Sequence, residues 1–290
     1  MVIVRIYEGL GNQLFQYAYA RALNLSTKQK VFLDFRETGS REDEKKLTPR
    51  ACGLKNFRIA LPVCTNVEHF YPYINNYKMI EKIKTWPMQK CIPYKYFSQS
   101  IPLYEERLMD LKGNWYLQGW FQDGRYFQSY ADIIKREIMP KKKIKISSEL
   151  KRIIHLKNTV SIHFRRSDFK KNRNTLPVTY YYNAMRYMQN VADDPFWIIF
   201  SDDIDWVKKN IDFGRGCYFL SEKENLKDYE ELMVMSCCKN HIIANSTYSW
   251  WGAWLGRNQN KIVVGPNKWF LRKSYGSEIM PEDWIQVPVK

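Results

Sequence analysis

Short apolar runs alternate with helix-spaced segments along this chain, and this alternation constrains the fold more than any other feature. VIVRIY at residues 2–7 and VFLDF at 31–35 are typical of buried strands, and residues 13–25 between them carry apolar side chains at helical intervals. A strand, a turn, a helix and a second strand in this order predict the opening of a parallel sheet. Residues 60–110 show no pattern that places an element.

The second half of the chain repeats this alternation. Strands are predicted at 159–164, 196–200, 241–244 and 261–264, and helices at 180–191, 228–238 and 247–257. The chain is therefore predicted to be an α/β protein with two doubly wound, Rossmann-like domains that face each other. Pro140 and the lysines that follow it are the best candidate for the junction, which gives domains at 1–145 and 146–290.

The charge balance indicates an anionic partner. Lysine and arginine exceed aspartate and glutamate by 46 − 30 = 16, and the pI is about 9.4. Nucleic acid, an acidic membrane face or a phosphorylated ligand would each fit this excess. No apolar window is long enough to span a membrane, and the first residues lack the apolar stretch of a signal peptide, so a cytoplasmic location is expected. The six cysteines and four histidines show no zinc-ligand spacing, so no metal site is predicted.

The segment Gly9-Leu10-Gly11-Asn12-Gln13 lies between the first predicted strand and helix. Its glycines let the backbone approach a ligand, and a helix N-terminus offers free N–H groups and a positive dipole end to an anion. The third glycine of the dinucleotide-binding pattern is absent, although Asp34 supplies an acidic residue about 20 positions further on. An ordinary tight turn is the alternative interpretation.

The segment His163-Phe164-Arg165-Arg166-Ser167-Asp168 ends a predicted central strand, where ligands bind in open α/β sheets. Strand alternation places His163 and Arg165 on one face. Two arginines can bind phosphate oxygens bidentately and neutralise a diphosphate leaving group without a metal. Asp168 is positioned to orient an arginine or to accept a proton. A solvated charged loop is the alternative.

The segment Ser201-Asp202-Asp203-Ile204-Asp205 also follows a predicted strand. Asp203 and Asp205 have a spacing that suits a hard divalent cation. Serine and aspartate before a helix are, however, the usual N-cap residues, and we favour this interpretation.

A fourth segment, Asn245-Ser246-Thr247, opens a predicted helix directly after a strand. Within residues 245–252, an amide, three hydroxyls and a helix N-terminus together form a suitable cradle for a phosphate. The following Trp250 and Trp251 are more typical of core packing than of ligand contact.

Together these segments resemble the α-1,2-fucosyltransferases of glycosyltransferase family 11, which has bacterial and blood-group H-type members. The resemblance rests on GLGNQLFQYA at 9–18, HFRRSD at 163–168, FSDD at 200–203 and IIANSTYSWWGAW at 242–254, with a weaker match at 119–122. These blocks cover nearly the whole chain, and the second and fourth are the most specific.

The resemblance implies a GT-B-like fold in which residues 1–145 lie mainly on the acceptor side and residues 146–290 bind a GDP-sugar donor. It implies a galactoside 2-α-L-fucosyltransferase, which moves L-fucose from GDP-β-L-fucose to O2 of a terminal β-galactoside with inversion. The implied process is O-antigen or other glycan biosynthesis. No metal and no cofactor beyond the donor substrate are implied.

The resemblance also assigns roles to individual residues. Arg165 is placed against the donor diphosphate, His163 near the guanosine, and Glu231, where aspartate is commoner in the family, against the nucleoside. The glutamate that some relatives carry five residues after the block's aspartate is Arg173 here, so Asp168 is the first candidate for the general base, followed by Glu8 and Asn12. The predicted donor-binding residues are Gly9, Gly11, Asn12, His163, Arg165, Glu231, Asn245, Ser246 and Thr247, and the predicted catalytic residues are Arg165, Asp168 and Asn12.

The expected partners are GDP-fucose and a β-galactoside oligosaccharide or lipid-linked glycan, and not nucleic acid. The donor carries few charges, so a peripheral contact of residues 141–145 with the anionic inner membrane face is a second explanation for the excess positive charge. A basic surface without a membrane role is equally compatible. Two alternative functions stay open: a non-catalytic basic protein that binds carbohydrate or nucleic acid, and a metal-dependent transferase that uses Asp203 and Asp205.

Overall fold

The structure is a computed structural model that describes residues 1–35, 51–63, 95–166, 169, 173–214 and 216–289. The chain divides into two compact units, Met1–Lys141 and Lys142–Lys290, called here the N-terminal and C-terminal units. Asp168 lies outside the described residues.

The described strands are β1 Val2–Arg5, β2 Val31–Asp34, β3 Lys95–Ser98, β4 Trp115–Gln118, β5 Asn158–Phe164, β6 Pro195–Ser201, β7 Cys217–Phe219, β8 Asn240–Ile242, β9 Val263–Pro266 and β10 Ile285–Val287. The described α-helices are α1 Leu10–Thr27, α2 Ala131–Glu137, α3 Ser148–Leu156, α4 Val178–Val191, α5 Ile204–Asn210, α6 Leu220–Lys223, α7 Asp228–Met235 and α8 Thr247–Trp254.

The N-terminal unit is built on a parallel sheet whose described strands have the order β2-β1-β4-β3. Strand β1 is buried along its whole length, as expected for a central strand covered on both faces. The chain leaves β1 towards β2 on one side, whereas β4 lies on the other side. The carboxyl ends of β1 and β4 therefore flank a topological switch point, the usual place for a ligand in such a sheet.

Helix α1 begins at Leu10, before the predicted helical segment at 13–25, so Leu10, Gly11 and Asn12 belong to the helix and not to the turn expected ahead of it. The amides of Asn12 and Gln13 each donate to the carbonyl of Gly9 at 3.0 Å, which closes the first helical turn at once. Gly9 is the N-cap with φ −72°, and a Cβ there would meet open space. The backbone conformation therefore does not require glycine at this position.

The C-terminal unit has a six-stranded parallel sheet in the order β10-β9-β8-β5-β6-β7. The chain runs outward from β5 to β7, returns to β8 on the other side of β5, and runs outward again to β10. This is the strand order of the doubly wound dinucleotide-binding fold, with its switch point between β5 and β8. The predicted α/β class and the two Rossmann-like, parallel-sheet domains are confirmed.

The core of the C-terminal unit contains the aromatic residues that the sequence assigned to packing. Trp250 and Trp251 are fully buried, and the indole N–H of Trp250 donates to the carbonyl of Ile279 at 2.8 Å. None of the described helices combines the length and the apolarity that crossing a bilayer requires.

Candidate functional site

The switch point of the C-terminal sheet brings two of the sequence-predicted segments together. Strand β5 ends in His163 and Phe164, with Arg165 next in the chain, and the segment Asn245-Ser246 follows the adjacent β8 and leads into α8. Parallel pairing forces the carboxyl ends of both strands to the same edge of the sheet. A helix N-terminus beside a cationic side chain at such an edge suits an anionic ligand.

His163 is a buried, neutral imidazole. It is 5% exposed, and its Nδ1 has no hydrogen-bond partner among the described residues. Burial, assisted by the charge of Arg165, lowers the pKa of His163 to about 3. Its ring lies 5.6 Å from that of Tyr248, centroid to centroid. A neutral histidine with an open nitrogen suits hydrogen bonding to a polar ligand rather than neutralising an anion.

The guanidinium of Arg165 is oriented by Asp202, which follows β6. The Nη1 of Arg165 lies 2.9 Å from an Asp202 carboxylate oxygen, and the other carboxylate oxygen accepts the backbone N–H of Arg166 at 2.9 Å. Asp202 therefore fixes both the side chain and the local backbone of the arginine pair. Such an ion pair at a strand end holds a cation in one geometry before a ligand arrives.

The second arginine has a different environment. Arg166 donates from Nε to Asp203 at 3.2 Å, and its guanidinium carbon lies 3.2 Å from the ring centroid of Trp206. The favoured N-cap interpretation is therefore wrong for these aspartates. Helix α5 does begin at Ile204, but no side chain caps it, because the carboxylates of Asp202 and Asp203 bind the two arginines instead.

If Arg165 acts in catalysis, we expect Asp202→Asn to lower kcat/KM about tenfold, because a neutral amide holds the Arg165 guanidinium less firmly. The measurement is steady-state kinetics, with circular dichroism as a check on folding. The matched control is Asp205→Asn, at an exposed position three residues further on. Equal activity of Asp202→Asn and wild type would remove the orienting role.

Glu231 projects from α7 and lies beside Tyr248. Its carboxylate accepts a hydrogen bond from the hydroxyl of Ser221 at 3.2 Å. Burial raises the pKa of Glu231 to about 7; the Ser221 bond opposes this rise and Asp228 adds to it. The pKa of Tyr248 is raised by burial and by the charges of Glu231 and Asp228, and it is lowered by Arg165. These couplings place Glu231 and Arg165 around one aromatic side chain, and a shifted carboxyl group in such a cluster is typical of a functional site.

Gly252 sets the close approach of α7 and α8. A Cβ at Gly252 would lie 2.2 Å from the sulfur and 3.2 Å from the Cβ of Met235, far inside van der Waals contact. The helix that carries Glu231 therefore packs directly against the helix that carries Tyr248. The glycine of the N-S-T-Y-S-W-W-G segment thus has a packing role that places two site residues.

The segment before α8 contributes both structural and open groups. The Asn245 amide nitrogen donates to the carbonyls of Asn174 and Trp269, both at 2.9 Å, while its buried Oδ1 has no partner among the described residues. Ser246 is the N-cap of α8, but its side chain makes no capping bond, and Thr247 is the first helical residue. Asn245 therefore ties two loops to the strand end, and Ser246 and Thr247 flank the helix N-terminus.

The remaining predicted residues that the structure describes lie in the N-terminal unit, at its own switch point. Gly9 precedes α1, Gly11 is buried in its first turn, and the side chain of Asn12 donates to the carboxylate of Glu8. The Asn12 carbonyl oxygen accepts from the Nε2 of Gln122 at 2.8 Å. The predicted site residues thus form two groups, one in each unit.

Sequence reasoning missed some of the residues that build these two groups. The sequence pattern predicts a helix cap for Asp202, and it gives Tyr248, Trp120 and Gln122 no role beyond membership of longer motifs. Trp120 and Gln122 could have been found from their position just after strand β4, but the sequence pattern does not predict β4. Among the described residues, no three histidine, cysteine, aspartate or glutamate side chains group together to hold a metal ion.

Comparison with known proteins gives one family. A model described as Glycosyl transferase family 11 matches residues 52–287. The O-antigen biosynthesis glycosyltransferase WbnK of Escherichia coli is 31% identical, and the alignment covers 96% of this chain and 98% of WbnK. An alpha-1,2-colitosyltransferase of Escherichia coli is 29% identical, with 99% of each chain covered.

Two more distant matches were found. Human galactoside alpha-(1,2)-fucosyltransferase 1 is 20% identical over 44% of this chain and 38% of its own length. A crystal structure of NodZ alpha-1,6-fucosyltransferase soaked with GDP-fucose has 15% identity and a TM-score of 0.47, and it covers 88% of this chain and 91% of that one.

Proposed function

This chain belongs to glycosyl transferase family 11, and from that membership we propose that it transfers L-fucose from GDP-β-L-fucose to O2 of a terminal β-galactoside. The reaction proceeds with inversion at the anomeric carbon and without a metal ion. The observation that carries the proposal is the convergence of Arg165, His163, Glu231 and the α8 N-terminus at the switch point of the C-terminal sheet.

Arg165 supplies the main electrostatic contribution. As the bond between the anomeric carbon and the diphosphate breaks, negative charge collects on the departing phosphate and positive charge on the sugar ring. A guanidinium already oriented by Asp202 stabilises that charge without reorganising. The backbone N–H groups near Ser246 and Thr247 add the positive end of the α8 dipole.

His163 and Glu231 recognise the nucleoside. Guanine presents an N–H and an amino group on one edge, and an ionised carboxylate accepts from both. Glu231 takes that role, and the neutral ring of His163 supplies a hydrogen bond near the guanosine. In this proposal residues 146–290 form the donor side, residues 1–145 form most of the acceptor side, and Asn245 positions the donor loops.

The attacking hydroxyl needs a base, and Asp168 is the first candidate for it. Asn12, Gly9 and Gly11 lie with Glu8 at the switch point of the N-terminal sheet, where they fit a role close to the transferred sugar.

The acceptor is a β-galactoside oligosaccharide or a lipid-linked glycan of O-antigen type, and residues 141–145 contact the anionic membrane on which such a glycan is built. The proposed location is therefore the cytoplasm, at the inner face of the membrane.

A second donor has one observation in its favour. The relative named as an alpha-1,2-colitosyltransferase aligns with 99% of this chain, compared with 96% for the glycosyltransferase WbnK. Colitose differs from L-fucose by the loss of the 3-hydroxyl, so both sugars fit the same diphosphate and guanine contacts. Only a group that bonds the 3-hydroxyl would distinguish between the two donors.

The experiment is a panel of GDP-fucose, GDP-colitose, GDP-mannose and UDP-galactose with lactose and methyl β-galactoside, each with and without a chelator. We expect transfer from GDP-fucose, a product with an α-1,2 linkage by NMR, and no effect of the chelator. Transfer from GDP-colitose alone would replace the donor. Absence of transfer from every GDP-sugar, or complete loss with chelator, would contradict the proposal.

A further inference from the structure

The switch point of the N-terminal sheet carries a partly buried carboxylate, that of Glu8, which the proposed donor contacts do not use. Both fixed donors of the Glu8 carboxylate converge on one oxygen: Oε2 accepts from the amide nitrogen of Asn12 and from the indole N–H of Trp120, the latter at 3.1 Å. The other oxygen, Oε1, accepts no hydrogen bond from any described residue. One carboxylate oxygen is thus held by two hydrogen bonds, and the other is available to accept a hydrogen bond from a ligand.

A second polar atom at the same place also lacks a partner. Gln122 is 6% exposed, and its Nε2 donates to the Oδ1 of Asn12 at 2.8 Å. Its Oε1 is buried without a hydrogen-bond partner among the described residues. An unpaired buried carbonyl costs free energy, and such atoms are usually satisfied by a ligand or water. Glu8 and Gln122 therefore offer two open acceptors, linked through Asn12.

The backbone at this switch point is strained in the segments that follow strands β1 and β4. Glu8 follows β1 with φ +64°, and Phe121 follows β4 with φ +50°, in the left-handed region that side chains with a Cβ rarely adopt. The amides of Trp120 and Phe121 both donate to the Gln99 side chain at 3.0 Å, and the carbonyl of Glu8 accepts from Gln13 at 2.7 Å. Surrounding residues thus hold both strained positions, a pattern that is typical of binding sites.

We infer that Glu8, Trp120 and Gln122 form a subsite for a neutral pyranose of the acceptor glycan. The partly exposed Trp120 indole packs against the apolar face of the sugar, and Glu8 Oε1 and Gln122 Oε1 accept hydrogen bonds from its hydroxyls. This chemistry fits a sugar better than the anionic donor, because a carboxylate repels phosphate. The inference rests on the proposed function, which supplies the acceptor class.

The test compares Glu8→Gln and Trp120→Phe with wild type in two assays. The first is transfer kinetics, in which we expect the acceptor KM to rise about tenfold while the donor KM stays within about twofold. The second is saturation-transfer NMR with lactose and no donor, in which both variants should lose most of the lactose signal. Glu106→Gln, an exposed glutamate in the same unit, is the matched control and should behave as wild type.

Glu8→Gly separates binding from folding. Glycine adopts a positive φ without strain, which offsets part of the loss of the two hydrogen bonds that the carboxylate accepts, so this variant should still unfold in one cooperative thermal transition while it loses lactose binding. Wild-type lactose signals in both Glu8→Gln and Trp120→Phe would overturn the inference, as would an equal rise in donor KM. If the chain transfers no GDP-sugar yet its lactose signal depends on Glu8, the proposed function fails and the subsite stands.

Discussion

Replacing Arg165 by alanine should lower kcat/KM for sugar transfer by on the order of 10²–10³, the usual cost of losing one preorganised donor to a developing negative charge. The expectation follows from the position of Arg165 at the end of β5, where Asp202 holds its guanidinium at 2.9 Å. Most of the loss should appear in kcat, because the charge on the departing diphosphate is largest in the transition state. Steady-state kinetics with varied donor gives both constants.

Arg165→Lys distinguishes charge from geometry. Lysine keeps the positive charge but cannot bind two oxygens with a planar fork, so this variant should be nearly as impaired as alanine. The matched control is Arg186→Ala, an exposed arginine on α4 in the same unit, which should retain wild-type kinetics. Activity of Arg165→Ala within about twofold of wild type would remove Arg165 from the proposed mechanism, because losing such a donor should cost far more.

The sequence predicted the parts of the fold in which burial dictates the pattern. Strand β5 and helix α4 carry continuous or helix-spaced apolar residues, and both lie close to their predicted ranges. Strand β3 was missed because its side chains are at least partly exposed and no apolar run marks it. The start of α1 is predicted too late because Gly11 and Asn12 resemble a turn, although the Gly9 carbonyl accepts the amides of Asn12 and Gln13 in a regular helical turn.

The candidate site was predictable as residue types at strand ends, but its pairings were not. Asp202 and Asp203 precede a helix and therefore look like caps. Only the parallel pairing of β5 with β6 brings them within reach of Arg165 and Arg166. Tertiary contact here overrides a local preference, which no spacing rule within one segment can reveal.

The same limit applies to Glu8. Its left-handed backbone and its bond to Trp120 join residues that are more than a hundred positions apart in sequence. The sequence identified Glu8 only as a secondary candidate for the base. In the structure, one oxygen of the Glu8 carboxylate accepts two hydrogen bonds and the other accepts none from the described residues, which favours a role in binding a hydroxyl group.

Glu231 should make donor binding depend on pH near neutrality. Burial raises the pKa of Glu231 to about 7, so the carboxyl group is mostly protonated below that value. A protonated carboxyl loses an acceptor oxygen, and guanine then leaves a donor unpaired. We expect the donor KM to rise about tenfold from pH 8 to pH 6, following the ionised fraction of the group. His163, with a pKa of about 3, stays neutral across this range and does not contribute.

Substitution at Glu231 tests the assignment through two readouts. Glu231→Gln should raise the donor KM at pH 8 by about tenfold or more and abolish its pH dependence, whereas Glu231→Asp should retain the dependence.

The second readout is thermal stability, which the same substitution should increase at pH 8 although it weakens donor binding there. A carboxyl group whose folded pKa lies above its unfolded value of 4.5 favours the folded state at low pH, and this contribution is lost as pH rises through about 7. Glu231→Gln should therefore unfold at a higher temperature than wild type at pH 8, with little difference at pH 5. A donor KM of Glu231→Gln that still rises tenfold between pH 8 and pH 6 would place the titrating group elsewhere.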